Sequence, residues 1–205
     1  MDEIKDRIAS QAGELFMQHG IKSVSMDEIA SKLGMSKRTI YQHFVDKEEL
    51  LIYFLEYTEQ QQLEKLKQLS ETLPSVIDIF LHIIDMHREM ASLYCIRFQE
   101  DIEKYFPKAQ QKMKEQHEKG TILSKDFLKT GIEQGVIRPD LNIEVTAFLL
   151  QDTNNTYVHA SRMMYRPFSI WELFFTMMVN FIRGISTNKG IKIIDEYLKK
   201  EEVRS

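Results

Sequence analysis

The sequence predicts an all-α protein: an N-terminal three-helix helix-turn-helix domain followed by a larger C-terminal helical dimerisation and ligand domain. Three observations carry that expectation. Apolar residues recur at three- and four-residue spacing along most of the chain, which is the period of a helix buried on one face. Helix start and stop signals are frequent and sharply placed. Glycine and proline are scarce, 8 and 4 among 205 residues, and few runs alternate in the manner of strands.

The first helix is expected from about Asp2 to His19, with Ile4, Ile8, Ala12, Leu15 and Phe16 on one face and Gly20 as its stop. Ser25 and Glu28 have the spacing of a capping box, with Val24 and Ile29 as the hydrophobic staple. The helix they open stops at Gly34. Ser36 can cap a short third helix, about Lys37 to His43. Asp46 and Glu49, stapled by Val45 and Leu50, open a long helix to about Ser70. Pro74 suits the first turn of the next helix, which runs to about Ala91. A helix over about 92–105 is ended by Pro107, and a longer one spans about 108–134 with an interruption expected near Gly120. Residues 135–140 read as a turn. Asn142 caps a helix to about Met164, and Ser169 with Glu172 forms a third capping box for a helix to about Thr187. A final amphipathic helix carries Ile191, Ile194, Tyr197 and Leu198.

Composition shifts near residue 46: three aromatic residues precede it and eighteen follow. The expected domains are therefore 1–46 and 47–205. The net charge is −4, from 27 Lys and Arg against 31 Asp and Glu. That excludes a protein coating nucleic acid through bulk charge, but not a local basic patch. The single cysteine, Cys95, excludes an intramolecular disulfide and a Cys-based zinc cluster, and reads as a small buried hydrophobe. The charged N-terminus is no secretory signal, and the most apolar stretch, 168–185, carries Glu172, Asn180 and Arg183. A cytoplasmic location without membrane contact is expected.

The segment from Ser25 to Phe44 carries the chemistry. Ala30 is small where two helices would cross, Gly34 stands at a tight turn, and Ile40 can pack back onto Ile29 and Leu33. This spacing is that of a helix-turn-helix, whose second helix enters the major groove N-terminal end first. Residues 20–47 sum to +2 while the first fifty sum to −2, so positive charge concentrates on the proposed reading helix. Arg38 suits a bidentate pair with guanine, and Gln42 a pair with adenine or a phosphate contact. Lys37, Thr39 and His43 are expected at phosphates or base edges, and Tyr41 either at a phosphate or packed against the domain. Ser25, Ser36 and Lys47 sit at helix starts, where backbone N–H groups also face phosphates. Phe44 is expected in the core.

These residues resemble the TetR (tetracycline repressor) family of bacterial transcription regulators. The carriers are Ala12 to Phe16, His19-Gly20, Val24 to Ala30, Leu33 to Ser36, Thr39 to Phe44 and Lys47 to Leu51, and later the segment Gly135 to Leu141. The resemblance implies a homodimer that binds a palindromic operator in double-stranded DNA. It also implies a C-terminal pocket for a small-molecule effector, whose binding releases DNA. Most members repress, some activate, and some have no known ligand.

The residues themselves also point to pairing. The helix after Ser169 is apolar nearly all round, so it must be covered on more than one side. A two-fold interface through Trp171, Phe174, Phe175, Met178, Phe181 and Ile182 is expected, partnered by the 142–164 helix. Two stripes are candidates for the effector pocket. Met86, Met90, Tyr94 and Phe98 could line an adaptable apolar cavity or simply fill the core. Asp152, Asn155 and His159, beneath Phe148, could orient a ligand, bond across the dimer seam or face solvent. Asp78, His82, Asp85 and Glu89 share a helix face but read as a solvated surface. No metal and no cofactor is expected. With no phosphate loop and no nucleophile elbow, an enzyme is not expected either.

Overall fold

The computed structural model describes residues 3–91, 96–152 and 167–202. Its helices are α1 (Glu3–His19), α2 (Met26–Leu33), α3 (Lys37–His43), α4 (Lys47–Thr72), α5 (Val76–Ala91), α6 (Ile96–Tyr105), α7 (Pro107–Glu133), α8 (Ile143–Gln151), α9 (Ile170–Ile185) and α10 (Asn188–Glu202). Among the described residues there is no strand beyond one isolated bridge, Ile137 to Ser186. The fold is all-α, as the sequence predicts. None of the described helices is long and apolar enough to cross a membrane.

Two compact units are present: residues 1–64 with 93–116, and residues 65–92 with 117–205. The first extends beyond residue 46, because the start of α4, α6 and the start of α7 pack on its core. Phe16, Ile29, Ile40, Phe44, Leu50 and Leu51 are fully enclosed there, together with Ile102 of α6 and Ala109 of α7. In the second unit, α5 packs against α9 and α10, which also touch each other. Its core holds Ile77, Ile84, Leu128, Ile137, Phe174, Ile182 and Ile194.

Three boundaries differ from expectation, each for a local reason. Pro74 precedes the helix rather than opening it: Ser75 caps α5 through its side chain to Asp78 N–H and its carbonyl to Ile79 N–H. Pro107 starts α7, the position where its missing N–H costs nothing. Helix α7 runs through Gly120 without interruption. The atoms nearest a Cβ built at Gly120 are those of the terminal amide of Gln151, the last residue of α8. The segment read as a turn, 135–140, does more than turn. Arg138 N–H bonds the Ile185 carbonyl at 2.9 Å and Thr187 N–H bonds that of Val136 at 3.0 Å, fastening it to the end of α9. The expected extension of α8 to Met164, and Cys95, lie outside the described residues.

Candidate nucleic-acid interface

The helix-turn-helix is built by three local devices. Ser25 caps α2 by accepting the Glu28 N–H at 3.1 Å. Gly34 ends it in the left-handed region, φ +63°, which side-chain-bearing residues adopt only with strain. The Gly34 N–H bonds Ser31 and the Met35 N–H bonds Ala30, the paired bonds of a Schellman stop. One residue later Ser36 caps α3, accepting the Thr39 N–H at 3.1 Å, while its hydroxyl lies 2.8 Å from that of Thr39. Ile40 is the one buried residue of α3, packed in the cluster with Ile29 and Leu33. Phe44 closes the helix and is buried, its ring edge-on to Tyr53 at 5.4 Å.

This leaves most of α3 outside. Lys37, Arg38, Tyr41 and Gln42 are exposed, and Thr39 and His43 are half-buried. Arg38 makes no ion pair among the described residues. Lys37 is different. Its ammonium lies 2.8 and 3.0 Å from the two carboxylate oxygens of Asp27 on α2. That hydrogen bond, and the carboxylate charge with it, raise the Lys37 pKa above the usual lysine value.

Lys47 is also engaged. Its ammonium donates to the carbonyls of Ile21 at 2.8 Å and Lys22 at 3.4 Å, in the link between α1 and α2. Burial there pushes its pKa below the ordinary value, partly offset by Asp101 and Glu28. The same link is held from α6, where Asp101 accepts the Lys22 N–H at 2.7 Å. The Lys22 ammonium sits over the Tyr105 ring at 4.1 Å. Glu48, beside Lys47, accepts the Lys108 N–H at the start of α7 at 2.9 Å. The link between α1 and α2 is thus tied to α4 and α6 through side chains.

Residues 8–54 match the model of the bacterial regulatory proteins, tetR family. This helix-turn-helix domain belongs to the TetR family. Among curated relatives, the uncharacterized HTH-type transcriptional regulator YerO of Bacillus subtilis is 38% identical over 73 residues, which is 36% of this chain and 25% of YerO. The match therefore spans only a quarter of that relative's length. The HTH-type transcriptional repressor KstR2 of Mycobacterium tuberculosis is 26% identical over 186 residues, 82% of this chain and 87% of KstR2. A Saccharomonospora viridis protein solved in complex with choline has the same fold: TM-score 0.73, 20% identity, 92% of this chain and all of that one.

Outside this TetR-family domain, the sequence-predicted residues fall in several environments. Phe98 is buried in the core of the first unit, whereas Met86 is exposed on α5 in the second. Phe148 is half exposed, its ring edge-on to His117 at 5.9 Å, and Asp152 ends α8 half-buried. Tyr94, Asn155, His159 and the side chain of Met90 lie outside the described residues. Of the six residues expected at a two-fold interface, Phe174, Met178 and Ile182 are buried within this chain. Trp171, Phe175 and Phe181 are half-buried, and the Arg88 guanidinium lies 5.0 Å from the Trp171 ring centroid. On α5, Asp78 takes the Ser75 hydroxyl and Asp85 takes Tyr197, so both carboxylates serve packing.

Two features were missed in the sequence reading: the Asp27–Lys37 pair and the hold of Asp101 on the α1–α2 link. Asp27 had a signal. A helix-turn-helix brings the start of α2 near the start of α3, so opposite charges at those two positions could have been paired from the motif. Asp101 had none, being 79 residues from its partner.

Proposed function

We propose that the chain is a DNA-binding transcriptional regulator that acts as a homodimer on a palindromic operator and releases it when a small molecule binds the C-terminal domain. The observation that carries this reading is the exposed N-terminal half of α3. Its backbone is capped, one apolar residue anchors it, and Arg38 and Gln42 face outward with chemistry suited to guanine and adenine edges. Thr39, Tyr41 and His43 stand ready for phosphates or further base edges, and Ser25 and Ser36 place helix starts toward the duplex. Lys47 serves by fixing the α1–α2 link that positions them.

Repression is the favoured sign, since the long-matching relative KstR2 is named a repressor. A small-molecule effector is favoured by the choline complex of the same fold. Dimerisation is assigned to the side of α9 that carries Trp171, Phe175 and Phe181, with α8 as its neighbour in the interface.

Binding to the DNA upstream of the protein's own gene, titrated with salt, tests the reading. Nanomolar-range binding to a near-palindrome is expected, weakening as salt rises. Arg38→Ala should lose about 1–3 kcal/mol of preference for that site over a scrambled duplex. Sequence-blind binding by the unaltered protein would overturn it.

A further inference from the structure

We propose that Asp27 is a specificity-determining residue, whose carboxylate holds the Lys37 ammonium away from phosphates and so lowers affinity for DNA that lacks the operator sequence. This rests on the reading of α3 as the helix that enters the groove.

The pair joins the starts of the two motif helices. Asp27 is the second residue of α2 and Lys37 the first of α3. Both carboxylate oxygens lie within 3.0 Å of the ammonium. The two side chains are 61% and 57% exposed, so packing does not demand the contact, and exposed pairs of this kind contribute little to stability. Its consequence falls on whatever else would use Lys37. A cation at the first turn of a reading helix is well placed for a phosphate, but to reach one it must leave Asp27. A bare carboxylate would then face the same phosphates, and the net charge gained by the duplex is close to nil.

The other cations of this segment sharpen the point. Lys22 sits on the Tyr105 ring and Lys47 on two backbone carbonyls. Among the described residues, Arg38 is the cation of α3 without an ion pair. The sequence counts five cations from Lys22 to Lys47, yet the fold engages most of them. Binding to arbitrary duplex depends almost wholly on neutralised phosphates. Operator binding adds base contacts that fix the pose of α3. Withholding one cation therefore costs the arbitrary complex proportionally more, because that complex is free to shift until Lys37 meets a phosphate.

The test uses the full chain with Asp27→Asn, Lys37→Gln and the double variant. Fluorescence anisotropy would follow binding to the footprinted upstream duplex and to a scrambled duplex of equal length, between 50 and 200 mM KCl. Asp27→Asn should steepen the salt slope on the scrambled duplex by about 0.9 per protomer, an extra change of about 3.5-fold across that range. It should also narrow the ratio of operator to scrambled affinity. The double variant, which again carries no net charge at the pair, should return to the unaltered slope, whereas Lys37→Gln alone bares the Asp27 carboxylate toward the phosphates and should not steepen it. A slope for Asp27→Asn at or below that of the unaltered protein overturns the proposal. So does a double variant with a slope shallower than that of the unaltered protein, since Lys37 would then have been neutralising a phosphate all along; Asp27→Ser repeats both measurements if Asp27→Asn folds poorly. If the unaltered protein bound neither duplex, the DNA-binding reading itself would fall, a result distinct from either slope.

Discussion

The seven residues of α3 bury one side chain, Ile40, while the sixteen of α9 bury five: Phe174, Met178, Val179, Ile182 and Ile185. The two helices meet opposite demands. Helix α3 is too short to be stable alone. Its caps at Ser36 and Phe44 and the single anchor Ile40 hold it, so the rest of its surface is left for a partner. Helix α9 lies against α5 and α10, and its interior stripe is a structural element of this chain before it is anything else. In the sequence both helices look like interaction surfaces. The difference is that polarity marks the free side of α3, whereas an apolar helix does not show which of its faces is already covered.

Substitution along α9 separates the two uses most strongly. Phe174 is 2% exposed and touches His87, while Phe175, its neighbour, is half-buried with its ring tilted 40° to that of Trp171, centroids 5.3 Å apart. Phe174→Ala should cost about 3–5 kcal/mol in urea unfolding. Phe175→Ala should cost less than half of that and instead weaken self-association in sedimentation velocity. Equal unfolding losses with unchanged association would erase the distinction between the two faces.

A smaller effect is expected where α4 supports the reading helix. Lys47→Met removes a donor from the carbonyls of Ile21 and Lys22. Loss of about 1–2 kcal/mol of stability is expected, because those acceptors lose a charged partner. Operator affinity should fall with it, since the link that sets α3 loosens, but the salt slope should not change. A slope shallower by about 0.9 per protomer would instead identify Lys47 as a phosphate contact.

What could be read from the sequence follows from how far apart the interacting residues are. The ends of α2 and α3 depend on Ser25, Gly34 and Ser36, each bonded to residues within four or five positions, and the motif states them outright. The capping box of Ser169 and Glu172 is equally local and is present in both directions. The interruption expected near Gly120 is absent because a lone glycine costs a helix only about 1 kcal/mol, and the rest of α7 carries it through. The hold of Lys47 on the α1–α2 link could not be read, because its carbonyl partners stand 25 and 26 residues away. The same holds for α9: hydrophobic pattern declares that a helix is buried, and only the packed neighbours declare by what.

The smallest effect bears on the covered face of α9 through pH. His87 on α5 is half-buried, with its ring edge toward Phe174 at 5.1 Å between centroids. Burial pushes its pKa below the ordinary histidine value, since the imidazolium would lose hydration there. The unfolded chain then takes up a proton near pH 6.5 while the folded chain resists it. Stability contributed by neutral His87 is complete above that pH and declines as pH falls toward the lowered folded pKa. The slope cannot exceed about 1.4 kcal/mol per pH unit for one proton. Urea midpoints from pH 7.5 to 5 should therefore fall faster for the unaltered protein than for His87→Phe. Parallel profiles would mean that the imidazole accepts its proton without leaving Phe174, and that this end of the α5–α9 contact is wetter than its geometry implies.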